Sequence, residues 1–306
     1  MIYYVLIVLS VVCFSAQFAF TKLYERSAKQ TTVTSLAMLI VMALVGAALF
    51  LCIGKFQIRF SVHSLTWATV MAGLMLPYYI VGIKVLSLGS LAVYSMFMML
   101  GGMLVPFFYG IVFLHESVST GKILGCVLLT ACIVMQAYIQ NAQTRSNTDR
   151  SDGKTKTLFF VLCLVIFFVN GMTGVVAKAH QLNAAAVDTV SFTALYCLLT
   201  ALFSALLLCV ILLTGQRKEK CAQLKKILGW RTLLTVAAIG LAAYTGNFLS
   251  FTATSHIPAS VQFPIVSGGT IVLSAIVSAF IFKEKISKKE WLSVVGAFIA
   301  TFLFAF

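Results

Sequence analysis

The sequence has little charge, and most of what it has is of one sign. Charged residues are 10% of the 306, with 8 Asp+Glu against 22 Lys+Arg, where a soluble domain carries about 25%. So few charges could not cover the surface of a water-soluble chain this long, which excludes an ordinary soluble enzyme and equally a disordered or fibrous protein. No CxxC occurs among the 8 Cys, so neither a redox pair nor a zinc ribbon is expected. No Asn-x-Ser/Thr sequon is present, which fits a bacterial membrane. What fills the chain instead is apolar side chain, 61% of it, against a usual share of about 45–50%.

The gaps between charges have a length. Stretches without Asp, Glu, Lys or Arg cover 1–21, 30–54, 60–83, 85–114, 123–144, 157–177, 189–216, 232–282 and 291–306. Crossing a bilayer takes about 20 mainly apolar helical residues. The 232–282 stretch is too long for one span and carries His256-Ile257-Pro258 near its middle, a turn signal. Dividing it there gives ten membrane helices, and the fold class expected is all-α and polytopic. The last stretch, 291–306, is short, about 24 Å at the helical rise. The first lacks the positive n-region and Ala-x-Ala site of a signal peptide and reads as helix one.

With ten spans, the net charge of +14 becomes a statement about loops. The loops after helices 1, 3, 5, 7 and 9 hold 18 of the 22 Lys+Arg, and the other side holds Lys55, Arg59, Lys122 and Lys178. That bias places the odd-numbered loops in the cytoplasm and both termini outside a cytoplasmic membrane. For 217–231 a polybasic site for acidic lipid is the competing explanation.

The chain also resembles itself. At an offset of 168, Ser90-Leu-Ala-Val-Tyr94 faces Pro258-Ala-Ser-Val-Gln262, Gly101 faces Gly269, Glu116 faces Glu284 and Ser119 faces Ser287. Near helix one the offset is about 156, with Lys22 opposite Lys178. Five spans per half is an odd number, so the halves would be inserted upside down relative to one another, as in many transporters. Gly101–Gly102, Pro106 and Phe113-Leu114-His115-Glu116-Ser117-Val118-Ser119, with Pro258-Ala259-Ser260, Gly268–Gly269 and Phe282-Lys283-Glu284-Lys285-Ile286-Ser287, make the chain resemble the drug/metabolite transporter superfamily, EamA-like branch. The resemblance implies two inverted five-helix repeats, 1–140 and 157–306, joined by a polar linker at 141–156. It implies a substrate cavity among helices 1, 3, 4, 6, 8 and 9, with helices 5 and 10 as scaffold. Substrate class is left open by it.

No charged residue falls deep inside a span; Lys84 comes closest, either snorkelling to headgroups or holding an anionic substrate group. Without a carboxylate in a span, exchange or facilitated diffusion is favoured over proton coupling. Glu116 and Glu284 are expected to accept backbone hydrogen bonds in their hairpins or to pair with lysines, and Ser287 to Glu290 reads as a capping box. Neutral polar side chains within spans mark the candidate binding site: Gln17, Tyr78, Tyr79, Tyr94, Ser95, Asn170, Thr173, Tyr244, Asn247 and Gln262. Carboxamides facing lipid without partners are costly, so these should turn inward; ordinary interhelical hydrogen bonding is the other reading of each. Gly73, Gly240 and the glycine pairs are expected at close helix approaches, and Pro77, Pro106 and Pro264 at kinks.

Enzyme motifs fail on spacing. His115-Glu116 lacks the second His of a zincin, and Gly121-Lys122 lacks the first Gly of a P-loop. No enzyme activity, cofactor or metal is expected. The expected partners are a small-molecule substrate and the lipid bilayer, not nucleic acid. The expected function is alternating-access transport of a neutral or zwitterionic, amino-acid-like metabolite, efflux being preferred; a lipid-linked carrier flippase is the alternative, and a membrane enzyme a weaker one.

Overall fold

A computed structural model describes residues 2–27, 31–88, 91–144, 153–214, 224, 229–281, 283 and 288–304. Ten long helices account for nearly all of them: α1 (Ile2–Ser27), α2 (Thr32–Ile53), α3 (Val62–Leu88), α4 (Leu91–Val112), α5 (Thr120–Thr144), α6 (Gly153–Gln181), α7 (Thr189–Leu213), α8 (Trp230–Thr254), α9 (Ala259–Phe280) and α10 (Lys288–Leu303). There is no strand among the described residues. Nine of the helices are long and apolar enough to cross a membrane, the exception being the 16-residue α10. The long charge-free stretch divides where the Pro258 signal lies, between Thr254 and Ala259.

The exterior is as apolar as the composition demands. Val127, Phe160, Leu206, Val210, Phe298 and Phe302 are all at least half exposed, which in water would be an aggregation surface and in a bilayer is the lipid-facing wall. The chain is a multi-pass membrane protein. Because lipid supplies no hydrophobic force between helices, packing depends on small residues that let backbones approach. At the α4–α6 crossing, a Cβ on Gly171 would lie 2.6 Å from the Gly101 carbonyl oxygen, and one on Gly101 would collide with the Phe167 main chain. A Cβ on Gly240 of α8 would lie 2.8 Å from Met42 Cα of α2. Gly73 has no such neighbour within 4 Å, so the close approach expected there is absent. It was inferred from composition, which does not say which way a helix face points.

The halves share their spacing. Both α4 and α9 are 22-residue helices starting 168 residues apart; α3 and α8, and α5 and α10, begin at the same offset. His115 and Lys283, also 168 apart and each just before one of the paired glutamates, share a left-handed backbone with φ of 52° and 53°. The packing pattern also survives exchange of the halves. Helix α1 packs on α8 and α9 as α6 packs on α3 and α4, and α2 packs on α8 as α7 packs on α3. The first helix of each half therefore lies against the other half, so the two interlock rather than form separate globules.

Some helix ends depart from the sequence expectation. The charge-free rule ends helix three at residue 83 and helix six at residue 177, whereas α3 runs to Leu88 and α6 to Gln181. Lys84 thus lies in the last turns of α3, exposed. Lys178, assigned above to a loop, lies inside α6 and is buried to 4% exposure. A lysine ends a charge-free run without ending a helix, because its ammonium can be carried by carbonyl acceptors on another segment. Lys122, also assigned to a loop, is a buried residue of α5 whose Nζ donates to the Ser117 carbonyl at 2.5 Å. Glu284, Ser287, residues 145–152 of the 141–156 linker and most of 217–231 lie outside the described residues.

Candidate functional site

A cavity of about 230 Å³ lies in the middle of the bundle, lined by residues of α1, α2, α3, α4, α6, α7, α8 and α9. No residue of α5 or α10 reaches it, and no Asp, Glu, Lys, Arg or His is among its lining residues. Seven of the ten candidates named from sequence meet there: Gln17, Tyr78, Tyr79, Asn170, Thr173, Tyr244 and Asn247. They converge because helical periodicity puts Tyr78 one turn beyond Met75 and two beyond Met71 on α3, and Asn247 one turn beyond Tyr244 and Ala243 on α8.

Three candidates stay outside the lining. Gln262 is fully buried one layer away. Its Nε2 donates to the Ser250 carbonyl at 2.7 Å, with the Ser250 and Thr254 hydroxyls at 2.9 and 3.0 Å. It ties α9 to α8, the interhelical role that was its alternative. Tyr94 packs in a separate cluster with Val85 and Phe159, its hydroxyl close to Gly82. Ser95 beside it is not in the lining either.

Sequence reasoning also left residues out. Met42 of α2 and Tyr196 of α7 line the cavity, although neither helix is among the six expected to form it. Tyr196 lies mid-helix in an apolar run, the same signal that marked Tyr78 and Tyr244. Phe14, Phe18, Phe251 and Phe263 complete the aromatic wall, and Met71, Met75, Met98 and Met99 supply polarizable, adaptable surface.

The hydrogen bonds divide these polar groups into committed and available ones. Asn170 Nδ2 donates to the Met98 carbonyl at 2.7 Å, and Thr173 Oγ1 to the Asn170 carbonyl at 2.6 Å. Tyr78 Oη reaches only a thioether, Met98 Sδ at 2.9 Å, a weak acceptor. Tyr196 Oη and Thr270 Oγ1, both lining the cavity, are buried without a hydrogen-bond partner. The carboxamides of Gln17 and Asn247 make no hydrogen bond among the described residues. A buried hydroxyl without a partner costs about 1–3 kcal/mol, so the Tyr196 and Thr270 hydroxyls are groups that a molecule in the cavity could satisfy. Such a site can hold a molecule by stacking and neutral hydrogen bonds. Among the described residues it offers no charged side chain to such a molecule.

A buried ion pair lies at one end of the bundle instead. Glu116, after α4, does not cap its own hairpin. Its carboxylate accepts the N–H groups of Ala259 and Ser260 at 2.7 and 2.8 Å, at the start of α9 in the other half. The N-cap of α9 is Pro258, which has no side chain able to do this. From α6, Lys178 Nζ donates to the carbonyls of Thr254 and Ile257 at 2.6 and 2.7 Å, where α8 ends. The two charges lie 3.9 Å apart with side chains only 5% and 11% exposed. Cation at a helix C-terminus and anion at the next helix N-terminus both favour the local dipoles. Gly110 makes room, since a Cβ there would lie 2.6 Å from Glu116 Oε2. This knot binds both halves to the α8–α9 turn.

Comparison with known proteins gives the family. The sequence pattern of the EamA-like transporter family matches residues 156–306. No curated protein matches the chain. Among solved structures, one described only as the crystal structure of a protein aligns with a TM-score of 0.70, covering 98% of this chain and 96% of its own at 16% identity. At that identity the likeness is one of fold.

Proposed function

From the membership of residues 156–306 in the EamA-like transporter family, we propose that the chain is a secondary transporter of the drug/metabolite superfamily. Its substrate is a small organic metabolite without net charge, neutral or zwitterionic and amino-acid-like, and efflux is the preferred direction. The observation that carries this reading is the uncharged central cavity, walled by aromatic rings and thioethers, into which unpartnered Gln17, Asn247, Tyr196 and Thr270 present hydrogen-bonding groups. The repeat supports the mechanism. Two interlocked halves with equivalent packing, inserted in opposite senses, can exchange roles on the two sides of the membrane by rocking about the cavity. Residues 1–140 and 157–306 are the two inverted units, and the membrane is the cytoplasmic one.

The experiment is a thermal-shift screen of purified protein against a metabolite library, followed by flux of each hit into proteoliposomes. Gln17→Leu and Asn247→Leu remove the available carboxamides while keeping side-chain volume close. Each should lower flux at least about tenfold, the equivalent of roughly 1.4 kcal/mol. Parental flux in both variants would remove the cavity from the mechanism.

A further inference from the structure

Next to the Glu116–Lys178 knot, the same last turn of α6 carries His180, which is fully buried. Its ring lies on that of Phe192 of α7, with centroids 3.8 Å apart and planes 15° apart. His63, on the first turn of α3, stacks on it at 5.7 Å and 16°, and meets Trp67 edge-on at 6.2 Å. Ser64 Oγ accepts the Val187 N–H at 3.0 Å and lies 2.9 Å from the Ser61 hydroxyl, which also reaches the Ala185 carbonyl at 2.8 Å. Ser64 Oγ also lies 2.9 Å from His180 Nε2, within hydrogen-bond reach. His180 Nδ1 and His63 Nε2 are both buried without a hydrogen-bond partner.

The charges around the pair are already engaged elsewhere or exposed. Arg59 and Asp188 face one another at 3.9 Å, Lys178 is committed to Thr254 and Ile257, and Glu116 caps α9; Lys55 is exposed. No carboxylate forms an ion pair with either histidine among the described residues. Beyond Phe192 the rings continue to Tyr196 at 5.8 Å, and from Tyr196 to Tyr244 at 5.7 Å. Those two tyrosines line the cavity.

We propose that His63 and His180 form a proton-binding site coupled to the central cavity, so that the protonation of the pair and the shape of the cavity change together. The proposal rests on the transporter reading above. The pair takes one proton and not two, because two imidazolium rings this close repel with no anion between them. An imidazolium lying on Phe192 without a carboxylate is poorly solvated, so the bound proton and the closed stack compete. Parting the rings shifts Phe192, and through it the Tyr196 wall of the cavity. No carboxylate inside a span is needed for this, which removes the sequence-level reason for setting proton coupling aside.

The test is NMR of the full chain in nanodiscs, labelled with 13C at histidine Cε1 and at methionine methyls. His63→Gln and His180→Gln assign the two rings, and His115 and His256 serve as internal comparison. Both rings should change together in a single step over a scan from about pH 8 down to about pH 4. Removing either should move the midpoint of the other by at least about half a pH unit. The methyls of Met42 and Met71, which line the cavity and share a core cluster with Phe192 and Tyr196, should shift with the same midpoint, follow the moved midpoint in His63→Gln and stay still in His180→Gln. Met103, in a different cluster, should not follow. In protein carrying Trp230→Phe and Trp291→Phe, Trp67 fluorescence should fall along the same curve. Rings silent over that range, rings titrating independently, or a titration that leaves the cavity methyls unmoved would each overturn the proposal. The wild-type titration alone decides this if the variants do not fold. Loss of flux in proteoliposomes at constant pH bears on the transporter reading and leaves these spectra unchanged, so the two failures are distinguishable.

Discussion

Replacing Glu116 examines the knot most directly, because its carboxylate serves two structures at once. Each N–H it accepts from Ala259 and Ser260, at 2.7 and 2.8 Å, is a charge-assisted bond of about 1.5–3 kcal/mol. It also offsets the Lys178 ammonium 3.9 Å away, whose side chain is 5% exposed. Removing one member of a buried pair costs about 3–5 kcal/mol, since the other is left buried without its counter-charge. Glu116→Ala should therefore destabilise by about 3–5 kcal/mol. Glu116→Gln keeps one oxygen acceptor for the α9 N-terminus but no charge, and should cost less, about 1.5–3 kcal/mol. At roughly 2–4 °C per kcal/mol for a chain of this size, the Ala variant should unfold roughly 6–20 °C lower, measured as Tm of detergent-solubilised protein by size-exclusion recovery after heating. Adding Lys178→Met to Glu116→Ala should cost less than the two single changes together, because the orphaned charge is gone. Equal Tm for Glu116→Ala and wild type, or strict additivity with Lys178→Met, would refute the account of the knot.

Three further outcomes follow from the packing. Gly73→Ala, with open space around its Cβ, should be neutral or raise stability by up to about 1 kcal/mol through helix propensity, whereas Gly101→Ala collides with the Phe167 main chain and should lower Tm markedly or abolish expression; the reverse order would contradict the α4–α6 crossing. Gln262→Leu strips Ser250 and Thr254 of their donor and should cost about 1–3 kcal/mol of stability while leaving ligand-induced thermal shifts intact, the opposite of Asn247→Leu; a lost ligand shift in Gln262→Leu would return it to the cavity. Cys221, which lies outside the described residues, should resist an impermeant maleimide added to intact cells expressing a Cys221-only variant, and labelling from outside would reverse the orientation drawn from loop charge.

How far the fold was legible follows from what each signal measures. Charge-free length is a statement about hydrocarbon, so the spans and the break at Pro258 were readable without any pairwise contact. Cavity residues such as Asn247 and Gln17 were readable because lipid penalises exposed carboxamides wherever they occur. That penalty is met equally well by a neighbouring helix, so Gln262 carried the same signal and found Ser250 and Thr254 instead. Tyr196 was missed because the resemblance placed the cavity among helices 1, 3, 4, 6, 8 and 9, which leaves out α7. Lys178 was misplaced because a rule that ends spans at charges cannot see carbonyls contributed by residues 254 and 257. Pairing across the halves is long-range information, and a single sequence gives the candidates for it without the partners.

The arrangement has a thermodynamic logic that joins the knot to the cavity. Buried hydroxyls without a partner, such as Tyr196 Oη and Thr270 Oγ1, are a standing cost that a ligand in the proposed site would remove, and uncharged groups cost least. Binding removes that cost, and a state that cannot bind keeps it, so the ligand's preference between states is written in those hydroxyls and amides. The charges that could fix one state strongly are kept out of the cavity. They act at the α8–α9 turn, where Lys178 holds the end of one helix and Glu116 the start of the next. In the proposed transport cycle, rocking of the halves either breaks that knot or carries it along intact. The distinction is measurable: a transport cycle that breaks it should run faster in Glu116→Gln than in wild type, at temperatures where both remain folded. A slower cycle in that variant would mean the turn moves as one piece with α6 and the α4–α5 hairpin, and the hinge would then lie nearer the glycine contacts of α4 and α8.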